Sequence, residues 1–303
     1  MAKITLGLPY KGSKAAIAED IVKKLPPGGR ILDACCGGGA FLMAAAMSLK
    51  WDSVVGNDLN KATIAILDAV LIHKGQIDYE HPAPCSRVDF FNSLQRIENG
   101  DFDIQDCVNK YCASFGNDGK TYLYGEKIED YKLIAEKMLT APTLSERRSN
   151  YRKFFEIMTK EDDDGRLQKL EFVQRLQSLE RLERLERLDI FDIDYKGFDV
   201  VYFDPPYKGT NKYDFEFDYD RFYDLFKSLK TDLKINAFLS EYDAPFTCVA
   251  EFEKTQLMAA SVGSSKSTTM EKLFFNGTAD EYRELMGRFY DDGAQKDCQQ
   301  SLF

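Results

Sequence analysis

Apolar and polar positions alternate along the chain in two rhythms. Ile17 to Leu25 spaces its apolar residues as a short amphipathic helix and stops at Pro26-Pro27-Gly28-Gly29. Arg30-Ile31-Leu32-Asp33 then reads as the start of a strand, the glycines 37, 38 and 39 as a turn, and the Ala/Met/Leu-rich run from Ala40 as a helix. A second unit follows, with Ser53 to Gly56 as strand, Asn57-Asp58 at its end and Lys61 to Ile72 as helix. The rhythm then lapses from about Gly75 to Lys160, an aromatic and loop-rich stretch. It resumes at Leu188 to Tyr195, with Phe198 to Phe203 as a buried strand, Arg221 to Leu229 as helix and Ile235 to Ser240 as strand. Alternating β and α units predict a parallel, doubly wound sheet of the α/β class. The interruption predicts that this domain is discontinuous, built from residues 1–75 and 186–303, with a smaller inserted domain over 76–165.

Between Leu167 and Leu188 a leucine or valine falls at nearly every third position, among alternating Glu and Arg. A helix advances about 100° per residue, so a strict three-residue period winds around it and makes no lasting seam. The segment 166–185 therefore reads as a solvated spacer helix.

Charge qualifies the picture. The 303 residues hold 40 Lys and Arg against 50 Asp and Glu, a net charge of −10, with 44% hydrophobic and 30% charged residues. That balance describes a water-soluble globular chain and speaks against a uniformly cationic surface. Residues 131–160, however, hold seven bases and three acids, a local charge of +4. The start of the chain lacks the apolar core of a secretory signal, and the most apolar run, Ala40 to Leu49, is too short to span a bilayer, so a cytoplasmic protein without a membrane partner is expected. Seven cysteines without a Cys-x-x-Cys pair suit reduced thiols, and no metal site is expected. With His73 and His81 the only histidines, histidine-based triads are disfavoured.

Chemistry concentrates at the predicted strand ends. Asp33-Ala-Cys-Cys-Gly37-Gly38-Gly39-Ala-Phe41 follows a strand and opens a helix, where glycines let backbone approach a ligand and the helix N-terminus offers free N–H groups. No Gly-Lys-Ser/Thr follows, which excludes a phosphate loop. Asp58, at the end of the next strand, can accept both ribose hydroxyl protons, so the pair favours an adenosine-containing cofactor. Asp204-Pro205-Pro206-Tyr207 ends the apolar strand Val200-Val201-Tyr202-Phe203. Two prolines fix φ and remove two donors, leaving carbonyls aimed out of the strand end beside the Asp204 carboxylate. Such acceptors suit an exocyclic amino group: hydrogen bonds to Asp204 and the Pro205 carbonyl would localise its lone pair for attack on a methyl sulfonium, while Tyr207 offers a face for the planar base.

These motifs resemble the Dam-type N6-adenine DNA methyltransferases. Leu8-Pro9-Tyr10-Lys11-Gly12-Ser13-Lys14 looks like the family's N-terminal motif, Asp33 to Phe41 like its glycine motif, Asn57-Asp58-Leu59-Asn60 like its ribose loop and Asp204 to Tyr207 like its catalytic motif. Leu239-Ser240-Glu241-Tyr242 and Ser261 to Asn276 resemble its C-terminal strand, serine-rich loop and final hairpin. The resemblance implies a Rossmann-like methyltransferase domain that binds S-adenosylmethionine through Tyr10, Lys14, Asp33, Gly37, Gly39, Phe41 and Asp58, with Asp194 and Tyr195 holding the cofactor's adenine. It makes Asp204, Pro205, Pro206 and Tyr207 catalytic, with Phe203 or Tyr213 as helpers in stacking a base flipped out of duplex DNA. The insert matches through Tyr111 to Gly125, which implies a mostly helical target-recognition domain contacting double-stranded DNA through Asn117, Lys120, Arg147, Arg148 and Arg152. The implied protein is a monomer or weak dimer of the restriction-modification kind. Cys35-Cys36 depart from the aromatic and aliphatic residues common in the glycine motif. An RNA adenine methyltransferase, and a protein that binds cofactor and DNA without turnover, remain open readings of the same residues.

Overall fold

The structure, a computed structural model, describes residues 6–73, 84–126, 128–141, 143–157, 182–207, 217–257 and 266–288. They divide into two compact units. The first comprises Met1–Ser13, Gly37–Gly39 and Asn60–Leu179; the second comprises Lys14–Cys36, Ala40–Leu59 and Glu180–Phe303.

The second unit holds the sheet. Its strands are β1 (Gly28–Asp33), β2 (Trp51–Asn57), β3 (Leu182–Glu186), β4 (Val200–Phe203), β5 (Asn236–Glu241), β6 (Thr247–Leu257) and β7 (Lys266–Phe275). Their order is β3-β2-β1-β4-β5-β7-β6. Strands β3, β2, β1, β4 and β5 run parallel, while β7 and β6 are antiparallel to their neighbours. This is the doubly wound α/β arrangement expected, closed on one side by a hairpin. Two of its helices are α1 (Ala18–Lys23) and α2 (Ala40–Ser48), the latter buried from Ala40 through Ala46. Further along, Tyr219–Thr231 forms the helix we label α8, capped by Asp218, whose side chain accepts from the Arg221 amide at 3.0 Å. It buries Phe222, Phe226 and Leu229, spaced i, i+4, i+7, against Phe203, Val201, Leu239 and Phe274.

Two expectations fail here. The end of the leucine repeat is the edge strand β3, not a helix; the repeat before residue 182 lies outside the described residues. A three-residue period fits neither helix nor strand, and a β-bulge reconciles it. Leu182 pairs with Val54 and Arg184 with Val55, so Glu183 is the extra residue and Leu185 comes opposite Gly56. Both leucines thereby fall on one face, although they are an odd number apart. Glu183 pairs with Arg30 at 3.1 Å, which gives the charged residues of the repeat an edge role. Residues 188–195 form turns instead of a regular element, and they bury Ile190, Ile193 and Tyr195 in the core of the second unit.

The first unit is helical: α3 (Lys61–Leu71), α4 (Arg87–Asn99), α5 (Ile104–Cys112), α6 (Glu129–Thr140) and α7 (Leu144–Ile157). Capping boxes start α4 at Ser86/Asp89 and α5 at Asp103/Asp106, and Gly100 closes α4 with φ 83°. Cys85, Phe90, Ala113, Tyr122 and Tyr124 form its apolar centre. No helix among the described residues is long and apolar enough to cross a membrane.

Candidate active site

Three carboxylates sit at the C-terminal ends of adjacent parallel strands of the second unit, Asp58 after β2, Asp33 at the end of β1 and Asp204 after β4. The chain leaves β1 for β2 on one side and returns to β4 on the other, so this is the switch point where open α/β sheets bind ligands. Backbone bonds fix the ends: Ala34 N–H donates to the Tyr202 carbonyl at 2.9 Å and Cys36 N–H to the Asn57 carbonyl at 2.8 Å. The buried Asn57 amide adds bonds to the carbonyls of Ala34 and Leu188, both at 3.0 Å, and its oxygen accepts from the Leu188 amide at 2.8 Å. Asn57 therefore sets the position of Asp58 beside it.

Asp33 is 1% exposed, and neither carboxylate oxygen closes a hydrogen bond of ordinary geometry; the Cys35 amide offers only a weak one. Burial pushes its pKa well above the carboxylate range, and the charges of Asp204 and Asp58 push it further. Burial, with the charges of Asp58 and Asp33, also raises the Cys35 and Cys36 thiols.

Lys14 reaches the same end of the sheet. Its ammonium lies 2.7 Å from Oδ1 and 2.6 Å from Oδ2 of Asp204, and 3.3 Å from Oε1 of Glu271 on β7. Burial opposes the charge on Lys14, but the two carboxylates outweigh it and hold its pKa above the usual lysine value. The Tyr207 ring centroid is 4.8 Å from this ammonium and packs edge-on against Tyr242, with centroids 4.7 Å apart. A cleft of about 610 Å³ lined by Tyr223, Glu241, Tyr242, Asp243, Ala244 and Pro245 opens beside Tyr242. The Tyr219 hydroxyl donates to the Pro206 carbonyl, so of the two proline carbonyls it is Pro206 that is held inside the protein. Beneath the motif, Tyr202 stacks on Phe41 with centroids 3.8 Å apart and shares a 2.7 Å hydrogen bond with Ser240.

The other predicted residues lie as follows. Phe203 does not face a ligand: it is fully buried among Tyr195, Phe222 and Phe226, because β4 is covered on both faces. Its expected part in stacking a base is corrected accordingly, and Tyr213 lies outside the described residues. Tyr195 is buried with its hydroxyl donating to the Ile190 carbonyl at 2.6 Å, and exposed Asp194 accepts from the Lys196 amide in a surface turn.

Within the first unit, Leu8 N–H donates to the Gly38 carbonyl at 2.6 Å and Tyr10 lies over the glycine turn. A Cβ on Gly38 would meet the Tyr10 Cβ at 2.6 Å, and Gly37 and Gly39 have φ of 47° and 78°. All three glycines are thus required by shape. Farther along, Asp118 accepts from the amides of Lys120 and Thr121, both at 2.8 Å, and from the Ser114 hydroxyl at 2.9 Å. This knot holds a loop that carries half-buried Asn117, at φ 57°, and exposed Lys120. Arg147 and Arg148 are exposed on α7; Arg152 is on the same helix, its side chain outside the described residues.

Sequence reasoning missed Glu271, Asn57 and Ser240 as parts of the site. Glu271 carried a signal: in β7 it shares the alternating face of Leu273 and Phe275, so a carboxylate stood at a core-facing position.

The model of the D12 class N6 adenine-specific DNA methyltransferase family matches residues 10–270. No match was found among curated protein sequences. Among solved structures the chain is similar to the rRNA methyltransferase aviRa from Streptomyces viridochromogenes, at 15% identity and a TM-score of 0.38, covering 91% of this chain and 90% of that one. It is also similar to SMU.472, a putative methyltransferase complexed with SAH, at 11% identity and a TM-score of 0.29, covering 86% of this chain and 51% of that one.

Proposed function

The chain belongs to the D12 class N6 adenine-specific DNA methyltransferase family, and from that premise we propose that it methylates the N6 amino group of an adenine flipped out of double-stranded DNA, with S-adenosylmethionine as donor. The observation that carries this reading is the carboxylate row at the switch point: Asp204 half-buried on Lys14, with a buried, weakly bonded Asp33 next to it. The donor's amino-acid end and its sulfonium are cationic. Asp33, raised by burial and by like charges, is the kind of acceptor a buried cation would stabilise, so the residues fit the cofactor. Asp58 suits the ribose hydroxyls. Tyr10, Lys14, Gly37, Gly39 and Phe41 complete the assignment through their motifs, as do Asp194 and Tyr195. When bound, the cofactor supplies an electrophilic methyl group.

The chain's own part is positioning. Asp204 and the Pro205 carbonyl accept hydrogen bonds from the amino group, which draws its lone pair out of the ring. Pro206, anchored through Tyr219, keeps the motif stiff, and Tyr207 gives the base a ring to lie on. Flipping the base costs a few kcal/mol, offset by these contacts. Residues 76–165 would read the target through Asn117, Lys120, Arg147, Arg148 and Arg152, while 1–75 with 186–303 bind cofactor and act; of the segment 166–185 expected to link them, Leu182 onward belongs to the sheet as β3. The positive charge of 131–160 supports a basic face within an acidic chain. We place the reaction in the cytoplasm, carried out by a monomer or weak dimer. Labelled S-adenosylmethionine offered with unmethylated duplex DNA and with ribosomal RNA in parallel tests the substrate. Label in methyladenine of the DNA supports the proposal, and label in the RNA alone contradicts it.

A further inference from the structure

The contacts of Lys14 raise a question of competition. Both oxygens of Asp204 face its ammonium at 2.6–2.7 Å, yet an amino group of a target base needs one of them. Asp204 is 18% exposed and can be reached from outside; Glu271, the second partner of Lys14, is 1% exposed and cannot. Glu271 is also firmly mounted, since it sits in β7 opposite Phe252 of β6, one residue before the pairing of Lys272 with Glu241 of β5. A carboxylate on a strand face shared with Leu273 and Phe275 costs several kcal/mol in desolvation unless it is paired. Among its partners is the Lys14 ammonium, at 3.3 Å. One buried carboxylate therefore stands beside the cation that covers Asp204.

We propose that Glu271 is a positioning residue: it takes up the Lys14 ammonium when the amino group of the base claims an oxygen of Asp204. No group is transferred to or from Glu271; the ammonium keeps its proton and changes only the share of its hydrogen bonds between two carboxylates. Without that second anion Lys14 remains on Asp204 and competes with the substrate. This rests on the reading of Asp204 as acceptor of the base's amino group.

The test compares the full-length wild-type chain with Glu271→Gln, Lys14→Met and the double variant. The readouts are single-turnover methyl transfer from labelled S-adenosylmethionine to unmethylated DNA, cofactor affinity by calorimetry and thermal unfolding. Loss of the second anion beside Lys14 predicts about a ten- to hundredfold slower transfer for Glu271→Gln, with cofactor affinity within about threefold of wild type. Because Glu271 acts through Lys14, the loss should shrink to less than about threefold in the Lys14→Met background. Wild-type transfer by Glu271→Gln, or an equal loss in both backgrounds, would overturn the inference while leaving the methyltransferase reading intact. No transfer by the wild-type chain on any DNA would overturn that reading first. Should Gln at this buried site prevent folding, Glu271→Asp, which keeps the charge one methylene short of Lys14, carries the same cycle with the same expected non-additivity.

Discussion

Replacing Asp204 with alanine separates catalysis from architecture in this site. The side chain does two things: it accepts from Lys14 at 2.6–2.7 Å, and on the proposed function it accepts from the amino group of the base. Losing an acceptor that works mainly in the transition state costs about 3–4 kcal/mol by analogy with removal of one oxyanion donor, or a factor of about 10²–10³ in rate. The stability cost should be smaller. Breaking a buried ion pair costs about 3–5 kcal/mol when a charge is left alone, but Glu271 stays 3.3 Å from Lys14 and Asp204 is itself 18% exposed. Removing Asp204 also lifts one of the like charges that burden Asp33, which acts in the opposite direction. A net loss of about 1–2 kcal/mol is expected, visible as a modest fall in Tm. The assay is labelled methyl transfer to duplex DNA under single turnover, beside calorimetry of cofactor binding. Asp204→Asn, which keeps one neutral acceptor oxygen, should fall between wild type and Asp204→Ala. Transfer by the alanine variant within about tenfold of wild type, with the fold intact, would refute the role given to this carboxylate.

Other consequences follow from the same geometry. Asp33 has a raised pKa in the folded chain, so its ionisation costs stability above the ordinary carboxylate range, and the cost grows as pH rises toward the folded value. Asp33→Asn should therefore raise Tm more at pH 8 than at pH 5 while weakening cofactor binding about tenfold or more, and an unchanged affinity would remove Asp33 from the cofactor site. Gly38→Ala puts a methyl 2.6 Å from the Tyr10 Cβ and 3.1 Å from the Leu8 carbonyl, so it should destabilise by about 1–3 kcal/mol and weaken cofactor binding through Tyr10. Thermal unfolding with calorimetry checks both effects. Arg148→Ala, at an exposed position of α7, should leave Tm unchanged and lower the salt dependence of duplex binding by about one phosphate contact. An unaltered salt slope would exclude that arginine from the interface.

What the sequence shows and what it conceals divide along physical lines. The glycine turn, Asp58 and Asp204-Pro-Pro-Tyr207 are legible because a strand end followed by a turn is local, and its chemistry lies within a few residues. That β2, β1, β4 and β5 run parallel follows from the alternation of elements. The edge strand β3 is hidden because a three-residue leucine period looks like nothing regular until a bulge at Glu183 drops one residue from the register. Phe203 looks available from its place beside Asp204, but burial of β4 on both faces consumes it. Lys14 and Glu271 stand 257 positions apart in the chain, and only the pairing of β7 into the sheet brings the glutamate to the lysine. That Lys14 is bound to Asp204 itself is likewise a property of the packed site.

On the proposed function, this chain methylates adenine in DNA through Asp204. Long-read sequencing of DNA from cells lacking adenine methylation, expressing either the wild-type chain or Asp204→Ala, decides this. N6-methyladenine at one short sequence motif is expected with the wild-type chain and none with the variant. Unmethylated DNA from cells producing the folded wild-type protein, or equal methylation by both forms, would contradict it.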